Sequence, residues 1–263
     1  MKLLNYKKNF VLGCFILAAL PGSSGDGIKK EMYQLTVYHY SSVAQEVVLD
    51  KYLKDALIPA LHKYGYKNIG VFRGIANDTS ARKTMYVYLP IKNAEAHLAI
   101  AAKLLKDSTY QKAGASYINA TYTDAAYTRM EVILLKAFSM APVMTLPKLS
   151  SPKKDRVYEL RSYESATEKI FANKVHMFNE GGEIDLFKSL NFNAVFYAEV
   201  VAGSHTPNLM YMTSFENKAD RDAHWKSFVE SPVWKKLSSM LIYQNNVSHI
   251  DIIFLQAMDY SDF

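Results

Sequence analysis

The 263-residue sequence contains one cysteine, Cys14, which lies in an apolar run near the N-terminus. If that segment is removed, the remaining chain has no thiol, which excludes disulfide bonds, thiolate catalysis and cysteine-ligated metal centres. The 11 glycines and 8 prolines are too few for a collagen-like or linker-like protein. With 49% hydrophobic residues, the chain must be stabilised by its core, and its length fits one large domain or two smaller ones.

Recognised catalytic and nucleotide-binding motifs are also absent, including G-x-G-x-x-G, Walker A and G-x-S-x-G. The seven histidines show no H-E-x-x-H or comparable spacing, so we predict no metal site and no cofactor. Haem is a minor alternative, because a single axial histidine leaves no spacing signature. The net charge of +6 is scattered, with only short pairs such as Lys29-Lys30, so we predict no nucleic-acid partner.

Residues 1–24 have the features of a signal peptide. Three lysines precede an unbroken apolar run over residues 10–20, and small residues follow from Pro21. The run is too short to span about 30 Å of hydrocarbon as a helix. We therefore expect export to the periplasm or the exterior, with no membrane span in the mature chain. An uncleaved anchor, a buried helix and lipoprotein anchoring at Cys14 remain alternatives.

The rest of the chain repeats once. Residues 33–38 align with 158–163, and residues 85–88 align with 210–213, both at an offset of 125. Asp107-Ser108 aligns with Glu230-Ser231 at an offset of 123, and residues 130–135 align with 250–255 at an offset of 120. The small drift in offset is what loop insertions would produce. We predict a first domain at 26–140, a linker at 141–155 and a second domain at 156–263.

Each half shows the order β-α-β-β-α-β, which is the ferredoxin-like arrangement. The first half is predicted as strands 32–40, 68–76, 84–90 and 129–138 with helices 43–64 and 93–106. Asn93 is the predicted N-cap of the second helix. The second half is predicted as strands 156–164, 193–202, 208–215 and 246–257 with helices 165–190, 217–229 and 232–243. The strands are apolar on both faces, so the sheets need a partner. The predicted fold class is α+β, with two tandem domains packed as an intrachain pseudo-dimer. Two independent domains on a linker are the alternative.

The second half resembles the NIPSNAP family over about 100 residues. The resemblance rests on V-Y-E-L-R-S-Y at 157–163, H-M-F-N-E-G-G-E-I at 176–184, M-Y-M at 210–212, R-D-A-H-W at 221–225 and P-V-W-K-K-L at 232–237. It implies the dimeric α/β barrel fold but no particular reaction. The first half looks like a diverged copy that has lost most of these signatures. We therefore expect any site to be built mainly from the second half.

The first group of candidate site residues surrounds a glycine pair. Gly181 and Gly182 interrupt a predicted helix, which indicates a break, a new helix start or a close backbone approach. Backbone N–H groups there could bind an anion, which makes both glycines ligand-binding candidates. Glu180 and Glu183 flank the pair and could act together as acid and base. The structural alternative is that Glu183 caps the new helix.

The second group lies on one predicted helix and one strand. Arg221 and Trp225 are i,i+4 neighbours and are candidates for ligand binding, as is Tyr211. His224 is a candidate base. The alternative is that Arg221 stacks on Trp225 purely as packing.

We therefore predict an exported, NIPSNAP-like protein that binds a small ligand or serves as an accessory protein. The 19 tyrosines and 13 phenylalanines would suit a cavity for a small apolar or aromatic molecule. The alternative function is a cofactor-free enzyme, like a monooxygenase or an isomerase, with its cavity in the second domain. A homo-oligomer formed through exposed sheet edges is compatible with both.

Overall fold

The structure, a computed structural model, describes residues 29–263 as eight strands and their connecting helices. The first half comprises β1 (Met32–Tyr40), α1 (Val43–Tyr52), a π-helical turn (Leu53–Leu57), α2 (Ile58–Lys63), β2 (Gly70–Gly74), β3 (Lys83–Ile91), α3 (Ala94–Leu98), α4 (Ile100–Leu104), α5 (Ser108–Ala113), α6 (Ala115–Ile118) and β4 (Arg129–Ala137). The second half comprises β5 (Val157–Glu164), α7 (Glu168–Phe178), α8 (Glu183–Ser189), β6 (Asn193–Ala202), β7 (Asn208–Phe215), α9 (Lys218–Glu230), α10 (Pro232–Ser238) and β8 (His249–Ala257).

The eight strands form one closed barrel in the order β1-β3-β2-β8-β5-β7-β6-β4. Each half contributes a four-stranded antiparallel sheet with the ferredoxin-like order. The two sheets join edge to edge, through β4 with β6 and β2 with β8. The tandem pseudo-dimer is confirmed, and the alternative of two independent domains is wrong. Closure leaves neither sheet with an unpaired edge, which removes a site for unwanted strand pairing.

Because side chains alternate along each strand, the core has three parts: the barrel interior and one layer between sheet and helices in each half. Inward side chains from both halves fill the barrel, including Tyr33, Tyr88, Tyr158 and Phe196. Outward side chains of the first half pack under α1 to α6, and those of the second half pack under α7 to α10. Each half therefore has its own layer between sheet and helices, and both share the barrel interior.

The element boundaries follow the predicted ones closely, with four main differences. The predicted helix 232–243 ends at Ser238, and a separate 3₁₀ turn follows at Leu241–Tyr243. The predicted helix 165–190 is two helices, because α7 ends at Phe178 and α8 begins after Gly182, whose φ of +90° suits glycine. The predicted helix 93–106 starts at its expected cap, Asn93, whose side chain accepts a hydrogen bond from the backbone N–H of Ala96, but it is interrupted at Ala99. Helices α5 and α6 had no predicted counterpart.

The predicted signal peptide and the lipoprotein alternative at Cys14 lie outside the described residues. Within residues 29–263, no helix is long and apolar enough to cross a bilayer.

Replacing Phe263 tests whether the two halves unfold as one cooperative unit. Its ring is 4% exposed and lies 5.3 Å from the ring of Phe72 and 6.1 Å from that of Tyr158, one from each half. We expect Phe263→Ala to lower the free energy of unfolding by about 3–5 kcal/mol, because a buried ring is lost. Chemical denaturation should show one transition, shifted as a whole. Tyr122→Ala, at a side chain that is 97% exposed, is the control and should change little. Two separate transitions would contradict a shared core.

Candidate functional site

The Y-E-L-R-x-Y motif lies on β5 and splits between the two faces of the barrel wall. Tyr158 and Leu160 point into the barrel core. Glu159, Arg161 and Tyr163 point outward, toward the helices of the second half, because successive side chains of a strand alternate. The motif thus supplies both the barrel interior and the polar groups of the outer layer.

Glu159 is the centre of this outer layer and is fully buried. Its carboxylate accepts four hydrogen bonds: from Arg161 Nε at 2.6 Å, from Arg221 Nε at 2.6 Å and Nη2 at 2.9 Å, and from Trp225 Nε1 at 2.8 Å. A carboxylate has about four lone-pair positions, so Glu159 is saturated. It holds β5 and α9 together and has no acceptor position left for a ligand.

The pKa of Glu159 reflects two opposed effects. Burial raises the pKa, but the hydrogen bonds from Arg221 and the charge of Arg161 together lower it below its ordinary value. Glu159 is therefore ionised in the folded protein. Its two arginine partners supply the neutralising charge that a buried carboxylate needs.

The network continues from Arg161 into the core of the layer. The Arg161 guanidinium stacks on the Trp225 ring, with Cζ 3.7 Å from the ring centroid. Its Nη1 donates to Tyr163 Oη at 2.8 Å, and Tyr163 Oη lies 2.9 Å from Tyr211 Oη. Tyr211 is 1% exposed. Three predicted ligand-binding residues, Arg221, Trp225 and Tyr211, are thus brought together as parts of one packed network.

The backbone approaches closely at Gly181, as predicted for the glycine pair. A Cβ on Gly181 would lie 2.6 Å from the carbonyl oxygen of Met177, so only glycine fits there. Gly182 caps α8 without a side chain, and Glu183 does not cap it. Instead, the buried Glu183 carboxylate accepts a hydrogen bond from Lys174 Nζ at 2.9 Å. The capping role expected for Glu183 is therefore replaced by a buried ion pair.

The predicted acid–base residues do not converge. Glu180 is exposed, and Glu183 is paired with Lys174. His224 Nδ1 lies 2.9 Å from the carbonyl oxygen of Asp220, and its ring packs against phenylalanines. None of these three candidates lines any of the five cavities identified in residues 29–263.

Sequence reasoning missed the centre of the network. Glu159 and Arg161 both stand in the quoted motif on β5, but neither was singled out as a site residue. A charged pair between apolar residues of a predicted buried strand was the available signal, because such charges need partners from another element.

The first half has different residues at the corresponding strand positions. On β1, Gln34 and Thr36 stand where β5 has Glu159 and Arg161, at the offset of 125. A neutral amide thus replaces the buried carboxylate, and a small hydroxyl replaces the guanidinium.

The helices of the two halves align through their N-caps. Asn93 corresponds to Asn217, and Asp107 corresponds to Ser231, so the helix offset is 124. The predicted match of Asp107-Ser108 with Glu230-Ser231 is therefore corrected by one residue. At the new offset, the first-half counterparts of Arg221 and Trp225 are His97 and Ala101.

These smaller side chains leave a cavity of about 300 Å³ between the sheet and the helices of the first half. We call it the first-half cavity. It is lined by Gln34, Thr36, Tyr38, Tyr52, Leu57, Leu61, Val87, Leu89, His97, Leu98, Ile100, Ala101, Leu104, Met130 and Val132. No lysine, arginine, aspartate or glutamate is among them. Leu98, at 80% exposed, and Val132, at 44%, form an apolar rim.

Four polar side chains form a hydrogen-bonded chain, and three of them, His97, Gln34 and Thr36, line the first-half cavity. Tyr66 Oη lies 3.1 Å from His97 Nδ1, His97 Nε2 lies 2.8 Å from Gln34 Oε1, and Gln34 Nε2 donates to Thr36 Oγ1 at 2.9 Å. Burial lowers the pKa of His97, which favours the neutral imidazole. A neutral ring fits the chain, because Nδ1 can accept from Tyr66 while Nε2–H donates to Gln34.

A family model described as NIPSNAP matches residues 158–262. Among solved structures, the chain is similar to a candidate monooxygenase from Lactobacillus acidophilus NCFM (14% identity, TM-score 0.57, 87% of this chain and 94% of that chain). It is also similar to an anthrone oxidase-like protein (10% identity, TM-score 0.51, 88% of this chain and 93% of that chain). At these identities the similarity shows the fold alone. No curated protein matches the chain.

Replacing Glu159 tests the buried network. We expect Glu159→Gln to lower the free energy of unfolding by about 3–5 kcal/mol, because the buried Arg161 and the half-buried Arg221 lose their counter-charge. Denaturant titration at pH 7 measures the change. Glu180→Gln removes an exposed carboxylate and is the matched control, with little change expected. Equal effects of the two substitutions would refute the structural role of Glu159.

The lowered pKa of Glu159 also predicts a pH dependence. A carboxyl group whose pKa is depressed by folding contributes stability above its unfolded pKa of about 4.3 and loses it as the pH falls through the folded value. The stability difference between wild type and Glu159→Gln should therefore be constant near neutral pH and shrink in acid. Denaturant titrations across the acid range measure this difference. A difference that grows on acidification would contradict the assignment.

Proposed function

We propose that this protein, whose residues 158–262 match the NIPSNAP family model, binds a small, neutral, largely apolar molecule in the first-half cavity. On this proposal the two halves have different tasks. The second half uses its outer layer for stability, and the first half uses the same layer to hold a ligand. Since residues 1–24 are predicted to direct export, we expect the ligand to be encountered outside the cytoplasm.

One observation carries the proposal. The same position in the fold is filled in one half and open in the other. In the second half, Trp225 and the Arg161 guanidinium stack at 3.7 Å and occupy the space between sheet and helix. In the first half, Ala101 and Thr36 stand at those positions and line a cavity of about 300 Å³. That volume is at the lower end of the range for small-molecule sites.

The lining indicates the chemistry of the ligand. A cavity without charged side chains disfavours an ion, because nothing offsets the cost of removing its charge from water. The apolar residues favour a hydrocarbon or aromatic body. Gln34 donates to Thr36 Oγ1, which leaves the Thr36 hydroxyl proton free to point toward a ligand. A carbonyl or ether oxygen is the group that this donor would recognise.

The same hydrogen-bonded chain favours binding over catalysis. Both ring nitrogens of His97 are engaged, one with Tyr66 and one with Gln34. A general base needs a nitrogen within reach of the substrate proton. With neither nitrogen free, His97 serves to orient Gln34 and, through it, Thr36.

Filling the cavity tests the proposal. We expect Ala101→Trp to abolish binding of the neutral, carbonyl-bearing dye Nile red, because the new side chain reproduces the packing of Trp225. Dye fluorescence measures binding to the full chain. Ala99 is exposed, as Ala101 is, but it does not line the first-half cavity, so Ala99→Trp is the matched control. Both variants should retain the wild-type thermal stability.

Two results would contradict binding in the first-half cavity. If Ala101→Trp and wild type bind the dye equally, the first-half cavity is not the binding site. If neither binds it, native mass spectrometry of the purified chain provides the second test. A copurified molecule that is lost in Ala101→Trp and kept in Ala99→Trp supports the proposal. The absence of any such difference overturns it.

A further inference from the structure

One mouth of the barrel carries a group of potential metal ligands that the proposed function does not use. Glu164 ends β5 and lies directly opposite His249, the first residue of β8. Asp251 follows two residues later on β8, so its side chain shares a face with that of His249. The β6–β7 connection brings His205 to the same place, where Nδ1 lies 3.0 Å from Glu164 Oε1.

The donor atoms are already close together. One potential ligand atom from each of Glu164, His249 and Asp251 lies within 4.8 Å of the other two. His249 Nε2 is 3.2 Å from Asp251 Oδ1. In a tetrahedral zinc site, bonds of about 2.0–2.2 Å place neighbouring donors roughly 3.3 Å apart. The side chains of His205, His249 and Asp251 are more than half exposed and that of Glu164 is 24% exposed, so the three exposed groups have room to rotate toward a shared ion.

The local charge also favours a cation. In the described part of the chain, the ion pairs of Glu164 and Asp251 are with His205 and His249, and neither carboxylate is paired with a lysine or an arginine. The same corner of the first half is different. There Arg129 stands at the position of His249, as the offset of 120 shows. An arginine repels a metal ion and cannot ligate one, so only the second-half corner has the donor set.

We propose that Glu164, His249, Asp251 and His205 bind one divalent ion of the zinc class at this mouth of the barrel. Two imidazole nitrogens and two carboxylate oxygens form a donor set that zinc accepts in tetrahedral geometry. The site is not visible in sequence spacing, because its ligands come from the end of one strand, a loop and the start of another strand. It is remote from the first-half cavity in sequence and uses none of its residues.

Isothermal titration calorimetry with zinc chloride tests the proposal. The experiment uses the full chain without a polyhistidine tag. We expect one zinc ion per chain. His249→Ala and Asp251→Asn should each weaken binding about tenfold or more, as loss of metal-site groups does. Titration with cobalt gives a second readout, because its visible absorption reports tetrahedral coordination. These bands should appear in wild type and disappear in both variants.

His62→Ala is the matched control. His62 is also a partly exposed histidine beside an aspartate, with Nε2 3.0 Å from Asp262 Oδ2, but among the described residues no third histidine or carboxylate joins this pair to form a cluster. Zinc affinity should be unchanged in this variant. The proposal is overturned if wild type shows no zinc binding, or if His249→Ala and Asp251→Asn both bind zinc as wild type does. Both variants change exposed side chains, so circular dichroism should show intact folding.

Discussion

The charge of one buried carboxylate determines how the second half is packed. Glu159 is fully buried, so its ionised form requires nearby positive charge and hydrogen-bond donors. Arg161 and Arg221 supply both, and Trp225 adds the fourth hydrogen bond. Once these large side chains are in place, the space between β5 and α9 is occupied. Two of the motifs that resemble the NIPSNAP family, at 157–163 and 221–225, therefore supply a stabilising network.

The first half has no buried carboxylate at the position of Glu159, and this difference explains why its outer layer is partly open. Gln34 carries no charge, so its neighbours need not be cations. Thr36 and Ala101 can then be small, and the layer between sheet and helix stays partly open. The barrel allows the difference, because the two outer layers are separate while the interior is shared. One half can lose packing in its outer layer while the other contributes stability to both.

Much of the fold was predictable because it depends on local patterns. Alternation located the strands, Asn93 marked its helix start, and the internal repeat predicted two similar domains. Edge-to-edge closure could not be read from the pattern, since strands that are apolar on both faces suit either stacked sheets or a closed barrel. The ion pair of Lys174 with Glu183 joins two separate helices, and spacing within the glycine motif could not reveal it. The candidate site was harder still, because motif strength pointed to the second half, whereas the cavity lies where the motif is missing. Only the alignment of the helices of the two halves shows that Ala101 occupies the position equivalent to Trp225.

An NMR titration of the isotope-labelled chain with Nile red tests the different roles of the two halves most directly. Backbone amide shifts report which layer the ligand enters. The account predicts shifts concentrated at residues 34–38, 97–104 and 130–132, with residues 159–163 and 221–225 unchanged. Shifts concentrated in the second group would contradict it, because they would place the ligand in the layer that the Glu159 network fills.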